Sequence, residues 1–315
     1  MSLLSAECNN KPKQSTKPKQ SMKPKDLHIP KFHRRVMIFD TETSGLMPKH
    51  RPGTPYPPTE AYPYIMQISW VVYNVLTNEI EETVDEYINI PNSVEVSEES
   101  VRVHGITREV SETKGKPITP LLAKFFTSYM KCDCIVAHNL QFDSELVRKE
   151  MWRNREELKR KVNTPERVNM MCGIFTKKFN AAYHIDTFCT MMNTIQLCGI
   201  DFAAKPKEKT IQTQIQPISE YVTNDQVIAN DQVSLVVAAA NTRKKFPSLN
   251  ELYGKLFDVS PPNDLHNSII DVIVCLRCFL KVRGAKELSE DEFQFLVERH
   301  SRPDIYMKND IDIKI

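Results

Sequence analysis

The chain has 315 residues, 41% hydrophobic and 26% charged, enough for one large domain or two ordinary ones with a sizeable core. An aromatic share of 8% excludes wholesale disorder, and no apolar run approaches the ~18 residues of a membrane span. The net charge of +2 hides a split: residues 1–35 hold seven lysines and two arginines against Glu7 and Asp26, so residues 36–315 are acidic, at −5.

In chain order, residues 1–31 read as a basic Lys/Pro tail. Lys11–Thr16, Lys17–Met22 and Lys23–Lys25 repeat with a period of six, and proline every few residues forbids a helix. The tail is either a solubilising leader or an electrostatic tether to nucleic acid. Arg35–Asp40 holds four consecutive apolar residues, which predicts a strand buried on both faces and running into Thr41–Leu46. A stretch with six prolines, Met47–Tyr64, follows. Ile65–Tyr73 reads as a second strand, Asn74–Asn78 as a hairpin turn and Ile80–Ile90 as a third strand, together an antiparallel meander.

The period then changes. Ser97–His104 and Ile118–Met130 read as helices, the second amphipathic through Leu121, Leu122, Phe125, Phe126 and Tyr129. Cys134–Ala137 reads as a short buried strand, Phe142–Asn154 as a helix, Tyr183–Asp186 as a strand end and Thr187–Leu197 as a helix, with Asp186 expected to cap it. Residues 201–247, rich in Gln, Thr, Asn and Lys, read as an insertion ordered in part at most. A helix over Ser248–Phe257 and a last long one over His266–Val282, closed by Gly284, complete the core, with His266 itself placed on the loop that enters the helix. The final 30 residues read as one short helix and a polar tail. A meander followed by strand–helix alternation predicts an α+β or mixed α/β sheet. With no export signal, the eight cysteines are expected as free thiols in a reducing, intracellular compartment, cytoplasm or nucleus. The pairs Cys132/Cys134 and Cys275/Cys278 read as packed core thiols, with zinc as the alternative.

Three constellations carry chemistry. Asp40 and Glu42, two residues apart, put both carboxylates on one side of a buried strand, where they repel unless a cation lies between them. Hard oxygen ligands suit Mg²⁺ or Mn²⁺. Ala137–Asp143 ends a strand and opens a helix that Asn139 is expected to cap, and Asp143 in its first turn is either a ligand or a charge complementing the helix dipole. Asp271 sits among Ile270, Val274 and Leu276, costly company for a carboxylate without a partner, and His266 precedes it behind Pro261 and Pro262.

Together Phe39–Thr43, Ala137–Asn139 with Phe142 and Asp143, and His266 with Asp271 resemble the three motifs of the DEDDh (DnaQ-like, polymerase III epsilon-subunit-like) 3′→5′ exonucleases. His104–Thr107, Ile185–Thr187 and Pro247–Leu256 support the resemblance, which runs in order over about residues 34–282. It implies an α/β, ribonuclease H-like mixed five-stranded sheet, with an antiparallel three-strand meander plus parallel strands, flanked by helices. The exonuclease domain would span 32–285, with insertions at about 47–64 and 201–247 and a C-terminal extension at 286–315. The family's four acidic metal ligands fall on Asp40, Glu42, Asp143 and Asp271, and its general base on His266. The sibling subclass needs Tyr at position 267, which here is Asn.

The resemblance further implies two Mg²⁺ or Mn²⁺ ions per site, flanking the phosphorus, with His266 taking the proton of the attacking water. Thr41, Leu46, His104 and Phe142 would surround the terminal nucleotide, Leu46 as a wedge and the Thr41 N–H reaching the 3′-oxygen. In the long loop 47–64, Tyr56, Tyr62 and Tyr64 with Lys49, His50 and Arg51 either stack on bases or pack as surface. Expected partners are nucleic-acid 3′ ends and a polymerase or other replication or repair protein, with no membrane. The contrasting expectation is a catalytically silent scaffold of the same fold.

Overall fold

The structure is a computed structural model that describes residues 33–162, 164–202 and 244–301. The basic tail, residues 203–243 of the insertion and the polar C-terminal tail lie outside the described residues, and so do the readings made of them.

Five strands form one mixed sheet in the order β3-β2-β1-β4-β5. β1 (Arg35–Thr43), β2 (Ile65–Asn74) and β3 (Glu79–Tyr87) are the antiparallel meander, while β4 (Cys134–Ala137) runs parallel to β1 and β5 (Asp186–Cys189) parallel to β4. The hairpin after β2 closes where expected. Asn78 takes a left-handed conformation and donates its N–H to the Asn74 carbonyl, while the Asn74 side chain accepts from Leu76. The fold class is the one the sequence analysis anticipated.

Period-two alternation splits the apolar residues into two cores. Met37, Phe39, Ile68 and Trp70 face α3 (Ile118–Tyr129) and α4 (Leu140–Arg153). Val36, Ile38, Val71 and Tyr73 face α10 (Leu249–Phe257) and α11 (Ser268–Arg283), with Gly284 as the C-cap of α11. β2 is buried along its whole length because it lies between both cores. The thiols of Cys132, Cys134, Cys275 and Cys278 are packed in these cores, and burial pushes Cys132 and Cys134 up to about 12. α12 (Glu290–Ser301) is laid on α11, with Phe293 buried against Tyr253 and Arg277 paired with Glu290.

The shorter helices depart most from expectation. α1 (Glu98–His104) is capped by Ser97 as its sequence suggests, but α2 (Arg108–Lys114), α5 (Arg155–Val162), α6 (Pro165–Gly173) and α7 (Lys177–Tyr183) were not anticipated. Each buries one to three side chains, too few for a readable apolar stripe. The strand read at Tyr183–Asp186 is displaced. Tyr183 ends α7, β5 starts at Asp186, and the expected single helix is α8 (Thr190–Asn193) followed by α9 (Ile195–Cys198). Asp186 therefore caps nothing; its carboxylate pairs with His33 at 2.7 Å, and Cys189 caps α8.

The segment that carries α1 and α2 is tied to the end of β3. The Ser111 hydroxyl donates to Ile88 O and accepts from Ile90 N, and Lys116 bridges Ile88. Gly115 lies under this seam: a Cβ there would stand 2.1 Å from Ser111 O, 2.4 Å from Asn89 N and 2.6 Å from Ile88 C, all backbone. Gly115→Ala must therefore force two main-chain segments apart, at a cost of about 1–3 kcal/mol. Thermal unfolding should show a drop of roughly 2–4 °C per kcal/mol, while Lys114→Ala leaves the melting temperature close to that of the parent.

Candidate active site

β1 carries the first two carboxylates beyond the core. Val36 and Ile38 pack under α11, and Asp40 and Glu42 continue that face past its edge. The register shifts between Glu42 and Thr43, just before the ladder's last pair, Thr43 with Ile65. α11 brings Asp271 in its first turn, and the Ser268 hydroxyl donates to the Asp40 carbonyl at 2.9 Å, fixing helix to strand. As a result one carboxylate oxygen each from Asp40, Glu42 and Asp271 lie within 4.8 Å of one another.

Asp143 arrives from the opposite face, in the first turn of α4. It is buried, outside the group of three, and its Oδ1 accepts from the Thr41 N–H at 3.1 Å and the Thr41 hydroxyl at 2.8 Å. This corrects two expectations. The Thr41 N–H is committed to Asp143 rather than free for a 3′-oxygen. Asn139 stands at the N-cap position in a left-handed conformation, but its side chain makes no capping hydrogen bond.

Crowding is visible in the electrostatics. Burial, partly offset by a hydrogen bond from Ser268, pushes Asp40 up to about 7. Burial and then the charges of Asp40, Asp271 and Asp143 push Glu42 up to about 10. Asp143 and Asp271 are raised well above the carboxylate range, by burial first and by Asp40 next. Four oxygen-bearing groups that cannot all ionise together fit a divalent hard cation, which would offset the repulsion that burial amplifies.

His266 lies on the loop before α11 in a left-handed conformation unusual for a non-glycine residue, and its N–H reaches both Asp271 oxygens at 3.3 and 3.4 Å. His104 is near enough for His266 to depress its pKa, which burial lowers first. Its Nε2 faces the Thr43 carbonyl at 3.0 Å and its Nδ1 accepts from Ile106 N, so the ring is neutral with the proton on Nε2. Leu46 is 72% exposed, and Phe142 packs half-buried against the Phe39 core. A cleft of about 560 Å³, lined by Ser44, Gly45, Leu46, Tyr62, Tyr64 and Glu95 among others, opens at Leu46.

The long loop divides. Tyr62 lies beneath Lys149 at 3.9 Å and Tyr64 beneath Arg153 at 3.6 Å, while Arg153 donates to the Thr59 and Tyr62 carbonyls. These two tyrosines pack the loop onto α4. His50 and Tyr56 stack on each other at 4.4 Å, with Tyr56 79% exposed. Sequence reasoning passed over Gln67, Ser69 and Ser268, which surround the base of the site; for Gln67 and Ser69 the available signal was a polar residue inside the apolar run Ile65–Tyr73.

The raised carboxyls make stability depend on pH and cation. Without a cation, each keeps its proton in the folded state at pH values where the unfolded chain has lost it. Stability then falls as pH rises from about 4, through about 7 for Asp40 and on to about 10 for Glu42. In EDTA the melting temperature should decline from about pH 5 to about pH 8, and the gain on adding Mg²⁺ should grow over the same range. Glu42→Gln should flatten both trends. A Mg²⁺ gain that is equal at the two ends removes these carboxyls as its source.

A sequence profile described as an exonuclease family, RNase T, matches residues 37–196, just over half of the chain. No curated protein matches the chain. Among solved structures, E. coli exonuclease I with a dA16 oligonucleotide is similar at 15% identity and a TM-score of 0.47, over 83% of this chain and 42% of that one. A product-bound exonuclease I gives 15% and 0.48, over 88% and 48%. A 3′-exonuclease bound to a histone mRNA stem-loop gives 18% and 0.29, over 39% and 54%. The chain thus spans less than half the length of the exonuclease I chains. The matched profile runs from the strand bearing Asp40 and Glu42 through the helix bearing Asp143. The chain belongs to the RNase T exonuclease family, a family of nucleases with the ribonuclease H-like fold.

Proposed function

We propose that the protein is a metal-dependent 3′→5′ exonuclease that hydrolyses the terminal phosphodiester bond of a nucleic acid and releases nucleoside 5′-monophosphates. Single-stranded DNA is the favoured substrate and RNA the second. The observation that carries this reading is the convergence of Asp40, Glu42 and Asp271 within 4.8 Å, with Asp143 braced beside them.

Asp40, Glu42 and Asp271 would hold Mg²⁺ or Mn²⁺, and Asp143 would join them in a site for two ions. When bound, such ions supply positive charge against the phosphoryl oxygens and lower the pKa of a coordinated water. The chain's own groups supply the rest. His266, on an open loop and tethered through its N–H to Asp271, takes the proton of the attacking water. Thr41 holds Asp143 to the strand, so its part is bracing. His104 has both ring nitrogens engaged and offers its ring, not a hydrogen bond, to a nucleotide. Leu46, exposed and lining the cleft, would wedge against a terminal base, and Phe142 would contact the same nucleotide. Nucleic-acid 3′ ends are the partner this site fits; a replication or repair protein is a further one. No helix among the described residues is long and apolar enough to cross a membrane.

Direction is tested with 5′-labelled single strands in Mg²⁺. They should shorten one nucleotide at a time and yield 5′-monophosphates, while circular single strands stay intact. Nicked circles, or loss of the label as a mononucleotide in the first turnover, overturn the reading.

The role of His266 has its own measurement. His266→Ala leaves every carboxylate in place. Its kcat should fall by ~10²–10⁴-fold with KM and Mn²⁺ affinity little changed. A collapse of Mn²⁺ binding would make His266 a ligand instead of the base.

A further inference from the structure

We propose that Gln67 is a positioning residue: its buried amide seats the first turn of α11 on the sheet, and so sets where Asp271 and His266 stand relative to Asp40 and Glu42. This rests on the reading of the carboxylates as a cation site.

Gln67 lies on β2 directly opposite Glu42 in the β1–β2 ladder, and is 2% exposed. Its Nε2 donates to Asp85 Oδ1 at 2.8 Å and to Asn267 Oδ1 at 3.2 Å. Its Oε1 accepts from the Ser268 N–H at 3.4 Å. Both donors and the carbonyl are therefore engaged, two of the three with the residues that begin α11. Asp85 determines which way round the amide sits. Asp85 Oδ1 acts as an acceptor, taking the Ser69 hydroxyl as well, so the amide nitrogen faces it and the oxygen is left pointing at the Ser268 N–H. Asp85 is itself oriented by the Ser69 hydroxyl, which donates to the same oxygen at 2.7 Å.

The start of α11 needs this support. Ile270 and Asp271 donate their N–H groups to the Asn267 carbonyl, but the Asn267 side chain at the N-cap makes no capping bond, so the earlier N–H groups must find partners outside the helix. The Asn267 side chain is turned to Gln67 instead, and Gln67 Oε1 takes the N–H of Ser268, the first residue of the helix, which an N-cap side chain does not reach. Ser268 then ties the same turn to the Asp40 carbonyl. His266 is one residue upstream, in a left-handed conformation, and its N–H meets Asp271. The remainder of α11 is held by a run of buried residues from Ile269 to Leu280, which does not depend on Gln67. Loss of the amide bonds should therefore leave the helix folded and let its first turn drift.

The test uses the full chain and Gln67→Met, which keeps length and volume and removes every hydrogen bond. Mn²⁺ titrated calorimetrically without substrate should bind ~10–100-fold more weakly than to the parent, as expected when a partner that orients ligands is lost. In nuclease assays kcat should fall over a similar range while KM moves less than about threefold, and the melting temperature should drop by only a few degrees. Asp85→Leu frees the amide to turn and should lose part of the same affinity, and the double variant should be no worse than Gln67→Met alone. A parent that binds no Mn²⁺ refutes the cation site itself. A parent that binds, beside a folded Gln67→Met with unchanged affinity, or additive losses in the double variant, overturns the role of Gln67.

Discussion

Mutual repulsion among four half-buried or buried carboxyl groups is the constraint around which this molecule is arranged. Burial weakens the screening that water would provide and by itself drives Asp40 up to about 7, while burial and then the charges of Asp40, Asp271 and Asp143 drive Glu42 up to about 10. An isolated strand would relieve such strain by bending or by exposing its end. Here β1 cannot, because its preceding residues are locked between two cores and paired on both edges, to β2 and β4. The repulsion is therefore kept, and the rest of the site opposes it with oriented dipoles. Asp143 and Asp271 both sit in first turns, of a 14-residue and a 16-residue helix, so two helix N-termini direct partial positive charge at the cluster. Thr41 adds two hydrogen bonds to Asp143, and the His266 N–H adds its own to Asp271.

This arrangement follows from the topology. β1 and β4 are parallel, and both deliver their chain to the same edge of the sheet, the edge where open α/β sheets gather functional groups. α4 and α11 both start at that edge, α4 running back on the Phe39 side and α11 on the Ile38 side. The long loop 47–64 starts at the same edge, and its return is fastened by Ser44, whose hydroxyl and N–H both bond Tyr64, and by Arg153 on α4. Glu150 holds Arg153 and also takes the Ile65 N–H, so the buried ion pair acts as the anchor of the loop. What the loop leaves outward, the stacked His50 and Tyr56, is what packing did not need.

The parts of the fold that were legible in the sequence are those where one physical signal dominates. β1 holds the apolar run Val36–Phe39, β2 is buried at every position, and α3 shows its stripe of Leu121, Leu122, Phe125 and Phe126. α5, by contrast, reads Arg155–Val162 with only Leu158 buried, and its helicity rests on charge pairs such as Lys159–Glu156 that no apolar period reveals. β5 was misplaced because it is an edge strand of four residues, two of them, Asp186 and Thr187, exposed. At the site, the carboxylates two residues apart and the histidine before Asp271 were picked out by their joint resemblance to the family's motifs, each being ambiguous alone. The groups that aim them were not. Thr41 to Asp143 spans 102 positions, Gln67 to Asn267 spans 200, and Ser268 to Asp40 spans 228. No local pattern encodes such contacts.

The two helices that complete the cluster belong to different cores, which makes β1 the common datum for both. α4 is fixed by Leu146, Val147 and Met151 packing on the Phe39 side, and α11 by Ile270, Val274 and their neighbours on the Ile38 side. Repacking either core shifts one helix and leaves the other, so the distances among Asp40, Asp143 and Asp271 would change even though each core stayed intact. Hydrogen bonds that cross directly to β1, from Thr41 to Asp143 and from Ser268 to Asp40, refer both helices to the same strand. A displacement of about 1 Å is enough to cost a site of this kind much of its activity. The polar residues of β1 and β2 next to the carboxylates thus hold in register what two independent hydrophobic cores would otherwise position separately.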